Sequence, residues 1–322
     1  MNATPLYPLR FEPIYQYRLW GGRRLARFLS APLPGEEPIG EAWLLSDRED
    51  HASRVVDGPL RGKTLAELSV QFPEQLLGKL TARFHRFPLL LKLLDVLQPL
   101  SVQVHPSGET GKTEAWVVLE TGPQARIFAG LTLATTAASL RRAIADGAVV
   151  EQLAGFTPNP GDAVLIPAGT VHSLVDVVVF EVQQNSDVTF RLYDWDHIDP
   201  RTSQRRPLQV EQAMACIDFA QHAIRPLTPQ VQATQPAFRA QILLCEHFGV
   251  TRISAELPFV VGKAARPRVL FCLAGSGELA HAGHSYPFGT GEVVLLPAVV
   301  GECACVPRGT LRLLEIALPE LS

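Results

Sequence analysis

Leu100-Ser101-Val102-Gln103-Val104-His105-Pro106, followed by Ser107-Gly-Glu-Thr-Gly111-Lys112-Thr113-Glu114-Ala115-Trp116, is the stretch on which the reading of the fold turns. Polar and apolar residues alternate from Ser101 to His105, the period-2 pattern of a half-buried strand. Gln103 and His105 are two apart, so on a strand their side chains share one face. Pro106 ends the run, a short loop with two glycines follows, and Glu114 leads into a second apolar run. Taken singly these residues say little. A lone strand histidine is more often a satisfied or surface residue than a ligand, and a lone glutamate more often a solvated one.

A third stretch changes the weighing. Gly161-Asp-Ala-Val-Leu-Ile-Pro167-Ala-Gly169-Thr-Val-His172 places a second histidine just after a tight turn. Two imidazoles, a carboxylate and an amide oxygen on adjacent strands make a site for a borderline metal. The same turn recurs as Gly291-Glu-Val-Val-Leu-Leu-Pro297-Ala, which predicts a duplicated β unit. The second copy runs on as Val299-Val-Gly-Glu and has no histidine.

Working outward, most of the chain reads as short strands. Phe87 to Asp95, Ser101 to His105, Ala115 to Leu119, Ala163 to Ile166 and Val177 to Val182 are apolar or alternating runs bounded by Gly and Pro. Three helical segments interrupt them, at about 60–80, 135–154 and 208–220. The first opens on Thr64-Leu-Ala-Glu67, a capping-box start. From Ile224 to Phe238 periodicity disappears and three prolines cluster. The expected division is therefore residues 1–225, a linker at 226–238, and a second β unit at 239–322.

Composition bounds the function. The chain has 322 residues, long enough for two domains, and 47% hydrophobic with 19% charged residues reads as globular. A net charge of −3 argues against a nucleic-acid binder, which would show a basic face. The start has no apolar signal core, and Phe87 to Leu100 is broken by Lys92, Asp95, Gln98 and two prolines. No membrane segment or secretory signal is expected. Five scattered cysteines fit a reducing cytoplasm better than a disulfide framework.

The metal pattern, in this chain order, resembles the two-part signature of the cupin superfamily, a mainly β jelly-roll fold. The resemblance narrows further. Ser-Val-Gln-Val-His-Pro, Gly111-Lys-Thr-Glu-Ala-Trp, Pro167-Ala-Gly-Thr-Val-His and Glu181-Val-Gln-Gln-Asn-Ser-Asp-Val-Thr-Phe-Arg191 are similar to type I mannose-6-phosphate isomerases. So are Leu19-Trp-Gly-Gly, Gly40-Glu-Ala-Trp and Phe87-Pro-Leu-Leu-Leu-Lys-Leu-Leu-Asp. The likeness runs from about residue 8 to 220, and beyond it the chain matches only as a generic second cupin barrel. Trp116-Val117, His172-Ser173 and Thr189-Phe190-Arg191 stand where the family has Trp-Tyr, His-Ala and Thr-Tyr-Arg.

The resemblance implies two cupin barrels with a small helical segment, the second barrel lacking metal ligands. It implies an enzyme that interconverts mannose 6-phosphate and fructose 6-phosphate through an enediol, with one zinc ion per chain. Gln103, His105, Glu114 and His172 match the metal ligands, Arg191 the catalytic arginine, and Ser101 and Lys112 the phosphate side of the pocket; Lys92, in an apolar strand, is a weaker candidate for the phosphate. The expected partner is a small sugar phosphate, with no nucleic acid or membrane, and the chain a monomer or homodimer. Glu181, Asp187 and a metal-bound water remain open as proton carriers. Asp187 and Asp194 are alternative salt-bridge partners for Arg191. Two histidines and a carboxylate also make the facial triad of an iron-dependent oxygenase, and a non-enzymatic sugar-phosphate-binding cupin is a further alternative.

Overall fold

The computed structural model describes residues 6–318. It is mainly β, with antiparallel strand pairing throughout and four short α-helices among the described residues. A nine-stranded sheet occupies the first two thirds of the chain. Its main path runs Ala163–Ile166, Glu114–Leu131, His172–Gln184, Leu89–Val96, Ile39–Leu45 and Ile14–Tyr17. Val102–Val104 pairs with the start of His172–Gln184, and Phe190–Tyr193 pairs with Val102–Val104.

Alternation gives this sheet two faces. Val178, Phe180 and Val182 join Leu91, Leu93 and Leu44 in a core shared with the C-terminal strands. There the Phe180 and Phe271 rings stack 4.6 Å apart, within 7° of parallel. Glu181 and Gln183 project to the opposite face, where the polar site lies.

The C-terminal part has a seven-stranded sheet against a four-stranded one. Ile253, Leu270 and Leu313 from the first pack on Phe259, Leu279 and Cys305 from the second. The repeated turn is real in structure: Gly161 and Gly291 take φ of 95° and 83° and lead into Ala163–Ile166 and Val293–Leu296. After the first strand the chain turns at Pro167–Thr170 and delivers His172. After the second, Ala298 and Val299 donate to the carbonyls of Leu76 and Gln75, so this turn is used for docking a helix.

Several boundaries differ from the sequence reading. Segment 60–80 holds two helices, Leu65–Gln71 and Pro73–Leu77, because Pro73 has no N–H to continue the first. Segment 135–154 is α-helical only over Ala137–Ala145, since Gly147 at φ 71° turns the chain; a 3-10 turn at Val149–Gln152 follows, and Leu153 already opens a strand. Segment 208–220 keeps one helix, Val210–Cys216. Within 226–238, Gln230–Ala233 is an edge strand paired with Phe238–Leu244. Leu9–Arg10 pairs with Val293–Leu296, so the first described strand belongs to the C-terminal sheet. No helix of the described residues is long and apolar enough to cross a membrane.

Candidate metal centre and pocket

Strand register assembles the site. His172 lies directly opposite Gln103, and Gln103 directly opposite Arg191, on three neighbouring strands. Directly opposed residues of antiparallel strands project to one face, so these three form a row. In a second row Trp116 is opposite Glu181, and Glu181 is opposite Lys92. Glu114 sits one alternation along from Trp116 and opposite Gln183.

His105, Glu114 and His172 come together with ligand atoms all within 4.8 Å. Each histidine Nε2 lies 3.3 Å from a Glu114 carboxylate oxygen. The three side chains are at most 1% exposed. His105 Nδ1 donates to the Val188 carbonyl at 2.8 Å, and His172 Nδ1 to that of Thr170 at 2.9 Å. Those bonds fix the tautomers and leave both Nε2 lone pairs facing Glu114, the arrangement found behind metal-bound histidines. Burial, helped by the charge of Lys112, pushes His105 down to about 3, so the imidazole is neutral. Burial also lowers His172. On Glu114 burial works upward, but the Lys112 ammonium and the histidines outweigh it and hold the carboxyl well below its usual range.

Gln103 borders the cluster, its Nε2 3.2 Å from His172 Nε2 and its Oε1 accepting from Ser101 Oγ at 3.0 Å. Half a turn of the amide exchanges the two atoms and presents oxygen to the cluster. Ser101 is 1% exposed and lies behind Gln103. Lys112 is also buried, its Nζ 2.6 Å from Glu114 Oε2 and 3.0 Å from His105 Nε2. The lysine–glutamate contact is an ion pair without directed geometry, for Glu114 Oε2 has no hydrogen-bond partner.

The cluster opens on a cavity of about 530 Å³. Gln103, Lys112, Glu181 and Arg191 line it together with Arg18 and Arg206. The Arg191 side chain has no hydrogen bond or ion pair among the described residues, and its Nε is buried without a partner. Neither alternative salt bridge forms. Asp194 takes Arg206, with Nε–Oδ2 at 2.9 Å, and Asp187 lies 3.4 Å from Lys92. Glu181 Oε2 accepts from Trp116 Nε1 at 3.0 Å, while its buried Oε1 has no hydrogen-bond partner. Burial first, then the Glu114 charge, push Glu181 up to about 7.

The sequence reading missed Arg18, Glu41 and Arg206 in this pocket and weighed Lys92 only as a weaker phosphate candidate than Ser101 and Lys112. Arg18 forks onto Glu41 at 2.9 and 3.2 Å. The buried Lys92 ammonium sits 3.7 Å from both Glu41 and Glu181 and 4.9 Å from the Trp43 ring centre. Burial works against its charge, but Glu41 and Glu181 hold its pKa above the usual lysine value. Glu41 lies inside the quoted Gly40-Glu-Ala-Trp motif, and that was the available signal. Arg206 had none. Among other candidates, Cys303 and Cys305 face the C-terminal core, and burial raises their thiols to about 11 and 12. His281 and His284 oppose each other at a hairpin.

A mainly β, cupin-type protein with a buried His–Glu–His cluster on a polar pocket is, by fold and site, a candidate metalloenzyme. The family model for the phosphomannose isomerase type I catalytic domain matches residues 9–126. A mannose-6-phosphate isomerase of Bacillus subtilis is 34% identical over 92% of this chain and 94% of its own. A mannose 6-phosphate isomerase crystal structure from Bacillus subtilis superposes with a TM-score of 0.88 at 28% identity, covering 97% of this chain and 100% of that one. One solved with zinc and yttrium shares the fold at a TM-score of 0.76 and 17% identity, covering 98% of this chain and 100% of its own. The chain belongs to the type I phosphomannose isomerase family, and it is an isomerase.

Proposed function

We propose that this isomerase interconverts mannose 6-phosphate and fructose 6-phosphate by proton transfer through an enediol, with one zinc ion held by Gln103, His105, Glu114 and His172. The observation that carries the metal assignment is the buried cluster with both Nδ1 atoms tied to carbonyls, so that both Nε2 atoms face the Glu114 carboxylate at 3.3 Å. Such a donor set, one carboxylate with neutral nitrogen and amide-oxygen ligands, suits zinc and leaves it electrophilic. Zinc bound there supplies a Lewis acid for the sugar oxygen that gains charge.

The rest of the reading concerns this chain's own groups. Glu181 Oε1, buried with no hydrogen-bond partner and in a carboxyl raised to about 7, takes the proton from one carbon and returns it to the neighbouring one. Arg191, cationic and unpaired at the pocket, stabilises the enediolate oxygen. Trp116, by donating to Glu181 Oε2, fixes the carboxylate plane and leaves Oε1 as the working atom. The division into a catalytic unit over 1–225 and a second barrel over 239–322 accompanies this reading, with the amendment that Leu9–Arg10 sits in the C-terminal sheet. The five free thiols suit a cytoplasmic enzyme, monomeric or homodimeric.

A coupled assay for fructose 6-phosphate formed from mannose 6-phosphate tests the reaction. The protein as purified is expected to turn over, to stop after chelation and to recover with zinc. Zinc-loaded protein that binds the sugar phosphate without converting it overturns the proposal.

A further inference from the structure

We infer that Arg206 grips the phosphate end of the substrate and sets the preference for a phosphorylated over a free sugar. The inference rests on the proposed reaction, which brings a sugar phosphate into this pocket. The reacting carbons are C1 and C2, and the phosphate is on C6, so the two ends of the sugar need separate partners. The reacting end belongs at the His–Glu–His cluster. Ser101 is buried behind Gln103, and Lys112 is turned onto Glu114, so both serve that end.

The row His172, Gln103, Arg191 leads away from the cluster strand by strand, and the loop from Asp194 to Arg206 follows it. Arg206 lines the same cavity. Its Nε and Nη2 clasp the two oxygens of buried Asp194. Its Nη1 has no hydrogen bond or ion pair among the described residues. One edge of the fork is therefore fixed by a carboxylate and the other is free for phosphate oxygens, a pre-organised form of guanidinium recognition. The fork of Arg18, by contrast, is committed to Glu41.

Two further observations agree. Arg191 and Arg206 line the same cavity, and after burial the charge of Arg206 is the main influence lowering Arg191, so the cavity wall carries two mutually repelling cations and favours an anion. The hairpin Ile198–Asp199 with Gln204–Arg205, which leads into Arg206, is pinned over the N-terminal strand. Tyr17 OH donates to Asp199 Oδ1 at 3.3 Å, and Arg201 lies 3.4 Å over the Tyr17 ring while pairing with Glu37. Arg206 is thus carried on a positioned support.

Steady-state kinetics with mannose 6-phosphate and with free mannose, and inhibition by inorganic phosphate, test this on wild type, Arg206→Gln, Arg206→Lys and Arg205→Ala. Arg206→Gln is expected to raise KM for mannose 6-phosphate about 10–100-fold, the worth of charge-assisted hydrogen bonds. Its kcat, zinc content and KM for mannose stay near wild type, and phosphate inhibition weakens by a similar factor. Arg206→Lys recovers part of the loss, as a point charge without the fork. Arg205 pairs with exposed Asp196, and Arg205→Ala behaves as wild type. Unchanged KM and phosphate inhibition in Arg206→Gln overturn the inference, as does an equal loss on both sugars. Should Arg206→Gln not fold, the phosphate inhibition constant of Arg206→Lys decides: a several-fold rise supports the role, and the wild-type value overturns it. Wild-type protein inactive on mannose 6-phosphate sinks the proposed reaction instead. Inorganic phosphate raising the melting temperature of wild type and not of Arg206→Gln then still supports the anion site, and an equal rise in both overturns it.

Discussion

Arg191 is a cation whose buried Nε nothing in the protein satisfies. Leaving a buried polar group unpartnered costs free energy, roughly 1–3 kcal/mol and more for a charged one, so a purely structural arginine would have acquired a carboxylate. Arg191→Ala is therefore expected to keep its zinc and its fold while turnover falls about 10²–10³-fold, the usual loss for one pre-organised group. Metal analysis beside the coupled assay checks both halves, and near-normal turnover removes Arg191 from the reaction. Glu181 makes a second prediction with a defined sign. Its carboxyl is raised to about 7 and must be ionised to accept a proton, so kcat/KM rises with pH along an acidic limb. The limb's midpoint lies at or below 7, because a bound dication favours the ionised form. Glu181→Gln is expected to abolish the limb and to cost about 10²–10⁴ in rate. A limb that survives the substitution assigns the proton to another group.

At the scale of elements, the turn before His172 connects backbone geometry to ligand position. Gly169 takes φ 85° and donates its N–H to the His105 carbonyl at 2.9 Å, so one glycine ties the two histidine segments together. A Cβ there would lie 3.1 Å from the Cys216 carbonyl oxygen and 3.2 Å from Asp218 Cβ. Gly169→Ala is expected to cost about 1–2 kcal/mol of backbone strain and to weaken zinc retention, read as a lower chelator concentration for half-release. Gly161→Ala, at φ 95° with nothing nearer than 3.6 Å, pays similar strain without disturbing the ligands, and its zinc retention stays at the wild-type value. This turn was legible in the sequence because Pro-x-Gly-x-x-His and the alternating Gln-Val-His are local patterns, and local spacing dictates which side chains share a face. Arg18, Glu41 and Arg206, and the pairing of Lys92 with Glu41 and Glu181, were largely illegible for the complementary reason. Their meeting depends on sheet order, which lays Ile39–Leu45 beside Leu89–Val96 and sends the 194–206 loop back over Tyr17. The exposed edge strand Gln230–Ala233 escaped notice because it buries neither face, so no alternation marked it.

At the scale of the whole molecule, the question is whether the two β assemblies are energetically one. The shared core answers through particular contacts: Phe180, from the strand that bears His172 and Glu181, stacks on Phe271 of the seven-stranded sheet. Leu9 and Leu6 from the N-terminus lie in that same core with Leu295 and Ile316. Its apolar residues come from both assemblies, so neither could expose its side without leaving the other's uncovered. Unfolding is then expected to be one transition, and damage in one assembly to be felt in the other. The tryptophans make this measurable, since Trp20, Trp43, Trp116 and Trp195 all lie outside the strands of the C-terminal sheets. Phe271→Ala removes a fully buried ring and should cost about 3–5 kcal/mol. In denaturant titrations the tryptophan-fluorescence midpoint should fall together with the far-ultraviolet circular dichroism midpoint, and by the same amount. A fluorescence midpoint that stays at the wild-type value while the circular dichroism transition splits would mean that the site sheet stands alone. The Phe180–Phe271 stack would then be a contact between independent units.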